Sequence, residues 1–171
     1  MKLSSFKEYL SKGIARKITP NIARAHSLIE DAEKRNDFLI QLISNIKLDD
    51  NNANYFIEEA YDILIGLIRA KLLQDGFEAS GNYSHEAEVS YLAEMEFSDF
   101  EKTLMDNLRQ FRNGIKYYGK RYSAEDGKKI IDFMKKMLPK LKEKLKASRF
   151  GSSPNLRKFN QTDRANFRET D

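Results

Sequence analysis

The chain has 171 residues, 40% of them hydrophobic and 33% charged, with no cysteine and a formal net charge of +4. This is the composition of one ordinary globular domain with enough apolar mass for a core, and it excludes a disulfide framework, a thiolate nucleophile and a Cys-ligated zinc. Its apolar runs are far shorter than the roughly 18 residues of a membrane span, and Lys2, Lys7 and Glu8 charge the N-terminus at once, so no membrane segment and no signal peptide are expected and the expected location is cytoplasmic.

The elements read as helix nearly throughout, because apolar residues recur every three to four positions and only 3 prolines and 8 glycines intervene. Phe6, Tyr9, Leu10 and Ile14 predict a short first helix. Thr19-Pro20 predicts the next start, with threonine as N-cap and proline where its missing N–H costs nothing. That helix is expected to run to about Ile46 along Ala25, Leu28, Ile29, Ala32, Asn36, Leu39, Leu42 and Ile43. A polar break at residues 48–52 precedes a helix over about 53–74. There Tyr55, Phe56, Ala60, Tyr61, Ile63, Leu64, Leu67, Ile68, Leu72 and Leu73 cover more than half the circumference, which marks the central helix. Gly76 is placed to end it in the left-handed conformation.

Ser84 is expected to cap a short helix through Val89 and Leu92. Ser98 and Glu101 form a capping box for the next helix, which carries Leu104, Leu108, Phe111, Ile115 and Tyr118 on one face and stops at Gly119. Ser123 opens the last helix, which runs to about Lys146, with a bend expected at Pro139. The fold class is therefore all-α: an up-and-down bundle of four to five main helices plus a short N-terminal one. Three segments are expected: 1–19 as N-terminal helix and connection, 20–146 as the bundle, and 147–171 as a flexible polar and basic tail.

Charge is uneven along this order. Residues 1–100 carry 11 Lys+Arg against 17 Asp+Glu, and residues 101–171 carry 19 against 9. Such asymmetry suits nucleic-acid contact, or equally the packing of a basic helix beside an acidic one.

The residues with most chemical content lie in Arg109-Gln110-Phe111-Arg112-Asn113-Gly114-Ile115-Lys116-Tyr117-Tyr118-Gly119. Arg109, Arg112 and Lys116 share one stripe of a helix, with Asn113 beside Arg112. A guanidinium fork and an amide at a core edge suit a phosphate or a carboxylate. The structural alternative is that Arg112 closes on Glu58, Glu59 or Asp62 of the central helix. Those carboxylates, with Glu58 and Asp62 one turn apart, could serve acid–base work, but on a helix near a basic neighbour they are more often its partners. His26 and His85 stand far apart without a metal-ligand spacing, so no metal and no other cofactor is expected. His85, just after Ser84, has the place of a first-turn hydrogen-bonding residue. No phosphate-binding glycine loop and no nucleophile elbow occurs.

Four stretches carry a family resemblance in the order in which they occur. They are Asn21 to Asp37; Tyr55 to Asp62 leading into Ile68 to Leu73; Gly76 with Ser84-His85; and Leu108 to Gly119. Across about residues 20–146 the chain resembles the HEPN family (higher eukaryotes and prokaryotes nucleotide-binding domain). The resemblance implies a helical bundle that is commonly a homodimer. Many members are metal-independent ribonucleases; others are inactive binding or toxin–antitoxin components, often beside a small nucleotidyltransferase.

Active members resemble a pattern of arginine, a polar residue, a short gap and histidine. Arg112 and Asn113 match its start, while Tyr117, Tyr118 or Gly119 stands at the histidine position. Histidine titrates near neutral pH and tyrosine near pH 10, and loss of a general base removes about two to four orders of magnitude in rate. The resemblance therefore implies a nucleotide- or RNA-facing binding module with an incomplete ribonuclease motif. Arg109, Lys116, Tyr117 and His85 are the binding candidates, and Arg112, Asn113 and Tyr118 the catalytic ones if activity survives. The alternatives are a metal-independent endoribonuclease and a structural or regulatory partner of a nucleotidyltransferase.

Overall fold

The computed structural model describes residues 3–147. The expected tail lies outside the described residues, apart from Ala147 at the end of the last helix. The architecture is an all-α bundle, built from α1 (Phe6–Ser11), α2 (Ile22–Asn45), α3 (Ala53–Gln74), α4 (Ser84–Ser90) with a 3₁₀ turn at Tyr91–Ala93, α5 (Asp99–Tyr118) and α6 (Ala124–Ala147).

α3 is central, as its near-continuous apolar circumference requires. It packs on α2 and α6 over most of its length and touches α4 and α5 on a further side. Phe56, Ile57, Tyr61, Ile63, Leu64, Leu67 and Ile68 are all buried on it. Tyr55 departs from the expected wall and faces outward. It sits in the first turn, beside Asn54, whose side chain is bound to the α5–α6 connection through the Lys120 carbonyl at 2.8 Å and the Tyr122 N–H at 3.0 Å.

Two short strands are an addition to the expected all-helical pattern. β1 (Ala15–Lys17) pairs antiparallel with β2 (Phe77–Ala79), joining Ala15 to Ala79 and Lys17 to Phe77. This ribbon explains two shifted boundaries. α1 stops at Ser11, because Gly13 turns the chain at φ +70° and Ile14 leads into the strand that begins at Ala15. The start of α2 moves from Thr19-Pro20 to Ile22, because the Ile18 N–H donates to the Gly76 carbonyl at 2.8 Å and the Asn21 N–H to Leu73 at 3.0 Å. Those bonds hold residues 18–21 alongside the end of α3. Asn21 becomes the N-cap, its side chain accepting from the Arg24 N–H. The N-terminal segment is thereby part of the same core: Phe6 is buried edge-on against Phe77 and Tyr91, with centroids at 5.4 and 4.7 Å.

Gly76 (φ +79°) ends α3 as expected, and a Cβ there would stand 2.9 Å from the Ile18 carbonyl oxygen. Ser84 is the first residue of α4 and not its cap. Tyr83 occupies that position at φ +67° with no side-chain capping bond. The boxes that open α5 (Ser98 with Glu101) and α6 (Ser123 with Asp126) both form. α6 runs unbroken through Pro139, which lies on its exposed face, where water can serve the carbonyl deprived of its donor. No described helix is long and apolar enough to cross a membrane.

Candidate functional site

α5 brings its apolar face, Leu108 buried and Phe111 and Ile115 half-buried, onto the bundle, which turns Arg109, Arg112 and Lys116 toward α3 and α4. The three cations meet different fates. Arg109 is 12% exposed and doubly paired: Nε to Asp106 Oδ1 at 2.8 Å and Nη1 to Glu86 Oε1 at 3.1 Å. Glu86 also accepts from the Tyr9 hydroxyl, so Arg109 clasps α5, α4 and α1 together. Lys116 lies 3.3 Å from Glu58 Oε1, a charge contact without hydrogen-bond alignment, since that oxygen is buried with no hydrogen-bond donor.

Arg112 has neither kind of partner. Its guanidinium carbon stands 5.8 Å from the Tyr61 ring centroid and 5.9 Å from that of Tyr117, within cation–π range of both. Among the described residues it makes no ion pair, and its buried Nε has no hydrogen-bond acceptor. The three carboxylates that stood as its alternative partners are engaged elsewhere. Glu58 faces Lys116, while Glu59 and Asp62 face Arg35 of α2 at 3.2 and 3.9 Å. A buried guanidinium N–H without an acceptor costs about 1–3 kcal/mol or more, and native proteins seldom retain one without a reason.

Beneath Arg112 lies a chain of polar groups. The buried Tyr61 hydroxyl contacts His85 Nδ1 at 2.8 Å. Glu88, 2% exposed, lies 3.6 Å from the same nitrogen and accepts a fork from Arg69, at 2.6 Å from Nε and 3.0 Å from Nη2. Burial pushes the Tyr61 phenol well above the ordinary tyrosine range, with the Glu88 carboxylate adding to it. The phenol therefore stays protonated, and the imidazole tautomer decides which of the two groups donates. Burial also lowers the His85 pKa, the Glu88 carboxylate opposing and the Arg69, Arg112 and Arg109 cations assisting. His85 is thus a neutral imidazole at pH 7, and its side chain is 41% exposed.

Arg112 and His85 thus approach one buried ring, Tyr61, from two different helices. The charges of three arginines reach the Tyr61 phenol; Arg69 and Arg109 hold carboxylates, and Arg112, over the ring itself, does not. Asn113 is half-buried beside it, and no hydrogen bond engages its side chain among the described residues. Tyr117 (71% exposed) and Tyr118 (76% exposed) project from the last turn of α5. Tyr118 lies off the apolar face to which its spacing assigned it, because α5 ends there and Gly119 turns the chain away at φ +61°.

Gly114 explains the local sequence. Its missing side chain admits the Tyr122 hydroxyl, which a Cβ would meet at 2.5 Å, while the Tyr122 ring stacks on Phe111 with centroids at 4.3 Å. The glycine therefore lets the chain fold back tightly after α5 and fixes the turn on which Arg112 and Asn113 sit.

Sequence reasoning did not single out Arg69, Glu88, Tyr61, Glu86 or Asp106. Signals for some of them existed: Glu88 follows His85 by one helical turn, and Arg69 interrupts an apolar helix two turns after Tyr61. The approach of α4 to α5 that joins Glu86 to Arg109 has no local signature. Among the described residues no cluster of three or more His, Asp or Glu side chains could hold a metal ion. No protein-family model matches the chain, and no curated protein matches it.

Proposed function

We propose that the chain is a HEPN-like, phosphate-facing binding module, acting on RNA or a nucleotide and assembling as a homodimer. One observation carries this reading: Arg112 is the single arginine of the Tyr61 cluster without a carboxylate, held between two tyrosine rings with a buried, unbonded Nε. A guanidinium prepared in this way lacks only an anion, and a phosphate oxygen supplies acceptors for its fork. The exposed ring of Tyr117 beside it, with Tyr118 next along the last turn of α5, offers a stacking face for a base. Lys116 adds long-range charge, whereas Arg109 serves the scaffold. Glu58, Glu59 and Asp62 support the site by holding Lys116 and Arg35.

The direct experiment measures binding of wild type and Arg112→Ala to a labelled single-stranded RNA and to a labelled nucleotide, with melting temperature alongside. Loss of a charge-assisted contact weakens binding about tenfold or more, with the melting temperature held within about 3 °C. Unchanged binding together with a collapsed melting temperature makes Arg112 a structural clasp and overturns the proposal.

A second reading, a metal-independent endoribonuclease, is favoured by the position of His85 across Tyr61 from Arg112. In that reading Arg112 stabilises the charge that develops on phosphorus, Asn113 orients it, and neutral His85 moves the proton in place of the histidine missing at Tyr117 or Tyr118. RNA cleavage in EDTA, lost in both Arg112→Ala and His85→Ala, is the outcome it requires. No cleavage at high enzyme concentration rejects it and leaves the binding module.

A further inference from the structure

A second surface, independent of the α5 site, lies where the end of α2 meets the start of α6. A groove of about 260 Å³ opens there. Phe56 and Ile131, both buried, form its floor, and Ile43, Ile46 and Leu48 form its walls. The walls are set by close packing: a Cβ on Gly127 of α6 would touch Leu48 at 3.3 Å and Ala53 at 3.5 Å. Ile40, one turn before Ile43 on the same side of α2, is 49% exposed and continues the apolar stripe along the seam. Further along, the Glu33–Lys142 pair at 3.1 Å joins the two helices.

The rim is basic. Lys47, Lys128 and Lys135 border the groove, all exposed, and among the described residues none of them makes an ion pair. Asp132 is the single acidic lining residue. Elsewhere on α6 the lysines are used differently: Lys129, Lys140, Lys142 and Lys144 each face a carboxylate. Lys136 and Lys146 are likewise exposed and make no ion pair among the described residues; Lys47, Lys128 and Lys135 differ from them in bordering apolar surface.

We infer that this groove docks an acidic amphipathic helix of a partner protein. Its size suits one or two large apolar side chains and falls below the range of about 300–1,000 Å³ typical of small-molecule sites. Helix-in-groove recognition seats such anchors at i, i+3 or i+4 and i+7, with flanking charges meeting the rim. Charge also selects against the chain's own C-terminal segment. Residues 148–171 carry 5 Lys+Arg against 3 Asp+Glu and would meet the lysines with like sign.

The test uses the full chain with methyl-labelled isoleucine. It is titrated with a panel of helical peptides that carry Leu and Phe anchors at i, i+4 and i+7 and glutamate on the flanks. A matched panel has lysine on the flanks, and dodecanoate and a single-stranded RNA serve as further probes. Acidic peptides shift the methyls of Ile43, Ile46 and Ile131. Ile46→Glu, at a half-exposed position that leaves folding intact, weakens this binding at least tenfold. The triple change Lys47→Glu, Lys128→Glu, Lys135→Glu reverses the preference toward the basic panel. The inference is overturned if the acidic panel leaves these methyls unmoved, if both panels bind equally, or if only RNA or only dodecanoate moves them.

Discussion

At the scale of single residues, two side chains decide how the site is held. Gly114 is the first. Alanine is favoured over glycine inside a helix by about 1 kcal/mol, but a Cβ here would press on the Tyr122 hydroxyl at 2.5 Å. That ring cannot swing aside without leaving Phe111. Overpacking of this kind costs about 1–3 kcal/mol, so Gly114→Ala is expected to lower the melting temperature, and Gly114→Ala with Tyr122→Phe to recover part of the loss. A higher melting temperature for Gly114→Ala would mean that the contact is slack. His85 is the second. Its folded pKa lies below the ordinary value of 6.5 because burial disfavours the imidazolium. The unfolded chain then binds the proton more readily, so the contribution of His85 to stability is fully present above about pH 6.5 and declines as the pH falls through the folded pKa. Melting curves from pH 7.5 to 5 are expected to fall less steeply for His85→Gln than for wild type. Equal slopes would contradict this.

At the scale of elements, long-range pairs do what caps alone cannot. The boundaries of α3, α5 and α6 were legible because their signals are local: Ser98 with Glu101, Ser123 with Asp126, and the left-handed turns at Gly76 and Gly119. The start of α2 was not, since the bonds from Ile18 and Asn21 to the end of α3 join residues more than fifty positions apart. The ribbon has no local signature either, because three residues on each strand give no period to read. The position of α4 depends on Arg69 of α3, which neutralises a carboxylate that is almost wholly buried. Removing one partner of such a pair leaves the other uncompensated and costs about 3–5 kcal/mol. Arg69→Met is therefore expected to destabilise strongly, and Arg16→Met, whose exposed guanidinium meets Glu78, by less than about 1 kcal/mol. Denaturant melts of the two variants make the comparison, and similar losses would show that the Arg69–Glu88 pair does not anchor α4.

At the scale of the whole molecule, the helical class and the central place of α3 follow from apolar periodicity, which sums over many residues and tolerates local error. The site is different, because it depends on which charges find partners. The acidic first half and the basic second half do meet, in pairs such as Glu58–Lys116, Glu86–Arg109 and Glu96–Lys144. No spacing rule in the sequence separates Arg109, which is consumed in this way, from Arg112, which is not. That difference is the basis for proposing a phosphate-facing site at Arg112, and the salt dependence of RNA binding tests it most directly. For single-stranded RNA each neutralised phosphate contributes about −0.7 to the slope of log affinity against log salt. Arg112→Ala is expected to reduce the magnitude of that slope by about 0.7, along with the affinity, while Arg109→Ala lowers the melting temperature. A slope and affinity unchanged by Arg112→Ala, in a protein that melts as wild type does, would contradict the account.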